Sequence, residues 1–277
     1  MTYKKLFKET QETLNKYNFS NNYTDILFED IFNLNKKDYF LNQEKEVNKK
    51  QQQKLQRIIK KIIKTEIPLS YLTHQAYFYK LKLYVNKNVL IPRFETEEVV
   101  DMALKIIKEK QYNTVLDLGT GSGCIALAIK KEIVKLDVFA SDISEKCLYV
   151  ARKNAYNHDL KINFCQSDLL KKFIKQKKKF DIIISNPPYI SDNYSLDKSV
   201  LFEPFLALFA GTDGLDIYKR IFADLKLVMN KNGTAIFEIG FDQANSILQL
   251  LKDYNLKGII EKDINNNDRI LIVTDLS

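Results

Sequence analysis

Beyond residue 93 the chain repeats one theme: a short run of branched or aromatic residues ending near Asp, Gly or Asn, and then, in most cases, a helical pattern. TVLDLG precedes CIALAIKKE, LDVFASD precedes SEKCLYVARKNAYN, KINFCQSD and FDIIISNPPY follow, and TAIFEIG precedes ANSILQLLKDY. Runs this apolar need cover on both faces, and intervening helices supply it, so the pattern dictates an α/β domain around a mostly parallel sheet. Ligands of such sheets lie beyond the carboxyl ends of the strands. The informative residues are therefore those just after each strand: Asp117 to Gly123, Asp142, Asp168, and Asn186 to Tyr189.

The first 75 residues read differently. Apolar positions fall at helical spacing, as in Leu6 and Leu14, then Ile26, Leu27 and Ile31, then Leu55, Ile58, Ile59, Ile62 and Ile63, which predicts three or more short helices. Residues 1–90 carry 17 Lys+Arg against 9 Asp+Glu, whereas the remainder carries 26 of each, so the whole net charge of +8 belongs to the first third. Such a basic face suits an acidic partner, a membrane surface or simply solvent. YFYKLKLYVNKNVLIP then alternates aromatic or branched residues with Lys around a turn-prone NKN, which predicts a β-hairpin over 76–92 linking the helical domain (1–75) to the α/β domain (93–277). No run approaches the roughly 18 residues that cross a bilayer, and the start lacks a signal-peptide core, so a cytoplasmic protein is expected. Three cysteines without a CxxC pair and only two histidines, His74 and His158, argue for reduced thiols and against a metal site.

VLDLGTGSGCIAL ends a strand, turns on Gly119, Gly121 and Gly123, and enters a helix. Glycines here let a ligand approach backbone N–H groups at a helix start, although any tight connection could use one. The spacing is GxGxG, with Cys124 where a GxGxxG dinucleotide fingerprint needs its last glycine, and there is no GK[ST]. Asp117 would repel a pyrophosphate and attract a cation. Asp142, ending the next strand, is where an acid accepts hydrogen bonds from ribose hydroxyls. A nucleoside carrying an ammonium group fits, and S-adenosylmethionine is such a molecule; another nucleotide and a purely structural turn are the alternatives. Asp168 is the expected partner of an adenine amine, or else a helix cap.

In SNPPYI, proline restricts both itself and its predecessor, so Asn186, Pro187, Pro188 and Tyr189 form a pre-shaped loop. The Asn186 side-chain carbonyl and the Pro187 backbone carbonyl are adjacent acceptors, suited to the two hydrogens of a substrate NH2, and Tyr189 can lie against a planar amide or base. Positioning would then supply much of the rate, without a triad.

The segments VLIPRFETEEVVD, VLDLGTGSGCIALA, SDIS, SNPPYI, LFEPFLALFAGTDGLDIYKRI and IFEIG together closely resemble the peptide chain release factor glutamine methyltransferases, the HemK/PrmC family, from about Pro68 to the C-terminus. The resemblance implies a seven-stranded Rossmann-like class I methyltransferase domain with a small N-terminal helical domain joined by a β-hairpin. It implies that S-adenosylmethionine, leaving as S-adenosylhomocysteine, contacts Asp117, Gly119, Thr120, Gly121, Ser122, Gly123, Asp142, Asp168, Leu169 and Asn186. It further implies that Asn186, Pro187, Pro188 and Tyr189, with Arg93 and Glu95 nearby, hold the glutamine of the GGQ motif of a class I release factor; Asn186, Pro187 and Tyr189 are the expected catalytic residues. Phe94 replaces the usual proline of IPRPETE, and His74 the usual glycine after YLT. A monomer with no obligatory nucleic acid and no membrane is expected, with the basic N-terminal domain docking the release factor. Two other readings share these residues: a nucleic-acid exocyclic-amine methyltransferase, since NPPY occurs there too, and a basic RNA-binding protein with a relict cofactor pocket.

Overall fold

The computed structural model describes residues 1–275; Leu276 and Ser277, the end of the span assigned to the α/β domain, lie outside the described residues. Met1–His74, with the excursion Asp197–Phe202, forms one compact unit, and Gln75–Leu196 with the chain from Glu203 onward forms the other.

The first unit contains α1 (Tyr3–Lys16), α2 (Asn22–Phe32), α3 (Lys36–Asn42), α4 (Lys49–Thr65) and α5 (Leu69–Thr73). Asn48 caps α4 by accepting from the Lys50 and Gln51 amides, and Leu55, Ile59 and Ile62 recur on one buried face. They pack with Leu14, Leu27 and Phe28 in a core of the unit's own. Lys54, Lys60, Lys61 and Lys64 face outward from the same helix.

The second unit opens with β1 (Gln75–Phe78) and β2 (Leu81–Tyr84), an antiparallel pair closed by Tyr79 and Lys80, both at positive φ (46° and 61°). The hairpin is thus shorter than 76–92. The NKN stretch makes a separate turn, in which the Val89 amide donates to the Asn86 carbonyl. Nor is the hairpin a free linker. Phe78, Leu81 and Leu83 are buried in the same core as Val99, Val100 and Leu127, because an alternating strand must bury its apolar side somewhere.

The remainder runs α6 (Glu95–Lys110), β3 (Thr114–Leu118), α7 (Cys124–Glu132), β4 (Asp137–Asp142), α8 (Glu145–Asn157), β5 (Asn163–Gln166), α9 (Lys171–Lys175), β6 (Phe180–Ser185), α10 (Asp216–Val228), β7 (Met229–Glu238), α11 (Ala244–Asp253), β8 (Lys257–Lys262) and β9 (Asp268–Asp275). The strands form a seven-stranded sheet of order β5-β4-β3-β6-β7-β9-β8, parallel from β5 to β7, with β9 antiparallel to β7 and to β8. The sheet is covered on both faces. Ile182 and Ile184 of β6 join the core under α6 and α7, while Ile183 joins the opposite core under α10 and α11, which is why FDIIIS is apolar without alternation. Strand order reverses at β3, between β4 and β6, and that crevice holds the site.

Candidate functional site

A cavity of about 440 Å³ opens at the carboxyl ends of β3, β4 and β6. Its floor is the glycine turn. Gly119 and Gly121 adopt φ of +73° and +54°, and a Cβ on either would meet nothing within 4 Å, so both face open space where a ligand can reach backbone. Gly123, at φ +86°, is the N-cap of α7, and a Cβ there would come within 3.2 Å of Ala151 and Leu127. Thr120, Ser122 and Asp142 also line this cavity.

Asp117 lies behind the wall rather than on it, 1% exposed. Its Oδ2 accepts from Thr120 Oγ1 at 2.6 Å and from the Ala126 amide at 3.0 Å, which fixes the turn, while its Oδ1 is buried with no partner. Burial pushes this carboxyl up to about 7; the Thr120 and Ala126 hydrogen bonds pull it down, and the Asp142 charge adds to the rise. Asp142 ties the turn to β4: Oδ2 accepts from the Gly121 amide at 3.0 Å and Oδ1 from the Ser144 amide at 2.9 Å. A ligand that offers a cation toward Asp117 and hydroxyls toward Asp142, and otherwise contacts apolar walls such as Leu90, Ile143 and Leu169, fits this donor set. Asp168 is on the wall as well, but Arg220 and Lys171 each donate to one of its oxygens at 2.6 Å and hold its carboxyl below the usual range, so it meets the cavity as an ion-pair member.

The acceptor loop follows β6. Asn186 and Pro188 line this first cavity, and Tyr189 lines a second, more polar one of about 490 Å³ with Glu95, Glu238 and Arg269. Arg93 reaches both. Pro187 is buried and on neither wall. The loop is held from behind: Ser185 Oγ donates to the Leu118 carbonyl at 2.6 Å, and Gln243 Nε2 donates to the Tyr189 carbonyl at 3.0 Å. Asn186 Nδ2 donates to Thr96 Oγ1 at 3.1 Å, which leaves its Oδ1 as the acceptor. Arg93 pairs with Glu203, whose other oxygen accepts from the Ile91 amide at 2.9 Å, so one buried carboxylate joins the IPRF segment to the FEPFL segment.

Thr96, Glu203, Arg220 and Glu238 belong to the site but were not singled out as site residues from the sequence. Glu238 carried a usable signal, since TAIFEIG places an acid at a strand end as TVLDLG and DVFASD do. The other three are recruited across the fold. Among the described residues no group of three or more His, Cys, Asp or Glu could hold a metal ion, and no helix is long and apolar enough to cross a membrane.

A family profile described as the Methyltransferase small domain matches residues 95–205, and one described as the PrmC N-terminal domain matches residues 5–73. The chain is 35% identical over 276 residues to a release factor glutamine methyltransferase of Staphylococcus aureus, covering 98% of each. It is 42% identical over 217 residues to one of Bacillus subtilis, covering 75% of each. Among solved structures, a ribosomal protein L11 methylase from Lactobacillus delbrueckii subsp. bulgaricus matches at 22% identity with a TM-score of 0.50, covering 66% of this chain and 80% of that one; this likeness concerns the fold alone.

Proposed function

This chain belongs to the release factor glutamine methyltransferase family, and we propose that it moves a methyl group from S-adenosylmethionine to the side-chain amide nitrogen of the GGQ glutamine of a class I peptide chain release factor. The observation that carries the reading is Asn186, which lines the cavity floored by the glycine turn and has its side-chain nitrogen already committed to Thr96. Its oxygen is left to accept from a substrate amide.

Bound in that cavity, S-adenosylmethionine supplies a methyl group on a cationic sulfur. Gly119 and Gly121 admit it to the backbone, Asp142 serves its ribose, and Asp117 behind the turn, once it gives up its proton, favours its positive charge. An amide nitrogen is a poor nucleophile because its lone pair is delocalised. Asn186 Oδ1 would accept one N–H and so aim the nitrogen at the donor, and the Tyr189 ring would bound the amide plane; Pro187, buried behind the loop, stiffens it. Most of the acceleration then comes from orientation. Transfer would form the N–C bond as the donor's S–CH3 bond breaks, with S-adenosylhomocysteine leaving as a neutral thioether and one amide proton passing to solvent. Leu169, Phe205 and Leu206 give the cavity an apolar wall.

The test is labelled-methyl transfer to purified release factor, with a control factor whose GGQ glutamine is replaced. Transfer that persists in the control, or that requires nucleic acid, overturns the reading. Asn186→Ala is expected to abolish most of the turnover, leaving a measurable residue, while cofactor affinity stays within about threefold, because the loss is one of orientation; near-normal turnover would remove this account of the loop.

A further inference from the structure

A carboxamide is nearly symmetric in shape, so Asn186 could present either its oxygen or its NH2 to the substrate. Presenting the NH2 would set donor against donor. Something in the fold must therefore choose, and the only hydrogen bond of the Asn186 side chain among the described residues is to Thr96 Oγ1. A threonine hydroxyl by itself cannot choose, because it can donate to an oxygen or accept from a nitrogen. Thr96, however, is 2.6 Å from Glu238 Oε2, and an ionised carboxylate only accepts. The single hydroxyl hydrogen is spoken for. Toward Asn186 the hydroxyl can only accept, and Nδ2 must face it.

Thr96 is 2% exposed and Glu238 1%, so water does not compete for either bond. Burial raises the Glu238 carboxyl to about 6, against the Thr96 hydrogen bond and the Arg269 charge, which leaves it ionised at neutral pH. Arg269 is held in turn by the Ile239 carbonyl at 3.0 Å and by Asp263 at 3.5 Å. We propose that Glu238, acting through Thr96, is the positioning residue that turns the Asn186 oxygen toward the substrate amide. The inference rests on the reading of Asn186 given above. It adds that the polarity of the acceptor loop is set by a carboxylate at the end of β7, which reaches Asn186 through Thr96.

The experiment compares full-length Thr96→Val, Thr96→Ser and Thr96→Ala with the parent, measuring kcat and KM on release factor and cofactor affinity by direct titration. Valine keeps the methyl group and loses the hydroxyl; serine does the reverse. Thr96→Val should lower kcat about ten- to a hundredfold, and Thr96→Ser should stay within about threefold of the parent, because only the hydroxyl orients the nucleophile. Cofactor affinity and KM should be nearly unchanged in both. A packing role predicts the opposite ranking, and that result overturns the proposal. Should the valine variant fail to fold, serine against alanine isolates the hydroxyl again, and equal turnover of that pair overturns it. The double variant Thr96→Val/Asn186→Ala should be no slower than Asn186→Ala alone; a further loss would mean that Thr96 acts by another route. If Asn186→Ala is inactive while Thr96→Val turns over like the parent, this inference falls and the acceptor reading stands. An active Asn186→Ala removes both.

Discussion

Asp117 is the residue whose replacement should most clearly expose the energetics of the site. Its carboxyl is pushed from 3.8 to about 7, chiefly by burial, and its Oδ1 has no partner in the folded chain. The unfolded chain releases this proton near pH 4, whereas the cofactor-free folded protein keeps it until about pH 7. Between those values the unfolded state binds fewer protons than the folded one. Stability contributed by this group is therefore greatest at low pH and falls as pH rises, by about 1.4 kcal/mol per pH unit, until it levels off above about pH 7. The full penalty is on the order of 4 kcal/mol. Asp117→Asn keeps an oxygen for Thr120 and Ala126 but does not titrate. Its unpartnered NH2 carries a constant cost of about 1–3 kcal/mol, and a constant offset does not change the slope. From about pH 5 to about pH 7 the stability of the variant relative to the parent should thus rise by about 2.7 kcal/mol and then stay level. Urea unfolding of both cofactor-free proteins at a series of pH values reads this difference, in which groups that titrate alike in both cancel. A difference that is flat over the range would refute the argument that burial, rather than an unseen cation or partner, governs Asp117.

Two further outcomes follow from other parts of the fold. Gly123→Ala would force a Cβ to within 3.2 Å of Ala151 and Leu127 at φ +86°, and should destabilise by about 1–3 kcal/mol, read as a lower urea midpoint; an unchanged midpoint would mean the turn can move aside. Reversing the charge of three or four of Lys54, Lys60, Lys61 and Lys64, exposed on α4, should slow association with release factor in a salt-sensitive manner, and unchanged kinetics would refute a steering role for the basic unit.

Contiguous features were readable because their physics is local. The helix over Glu95–Lys110 announces itself by acids in its first turn and lysines in its last, and the glycine turn by three alternate glycines, all of which adopt positive φ. Local propensity misled at the hairpin. NKN looks like the turn, yet the chain reverses at Tyr79–Lys80, neither of them a preferred residue for positive φ, because burying Phe78, Leu81 and Leu83 together fixes the register. Asp168 shows the other limit: a strand-end acid reads as a ligand contact, but Arg220, distant in sequence on α10, had claimed one oxygen.

The sequence by itself determined the layered sheet, the strand ends beyond which a ligand is expected, and the rigid Asn-Pro-Pro-Tyr loop, since periodicity, glycine and proline act on neighbouring residues. Only the tertiary structure decided what each side chain in that crevice is free to do. Thr96, Asn186 and Glu238 come from α6, the loop after β6 and the end of β7, and their hydrogen bonds exist only once those elements pack. A hydrogen bond depends on distances of a few tenths of an ångström between residues far apart in the chain, and a one-dimensional pattern carries no such distances.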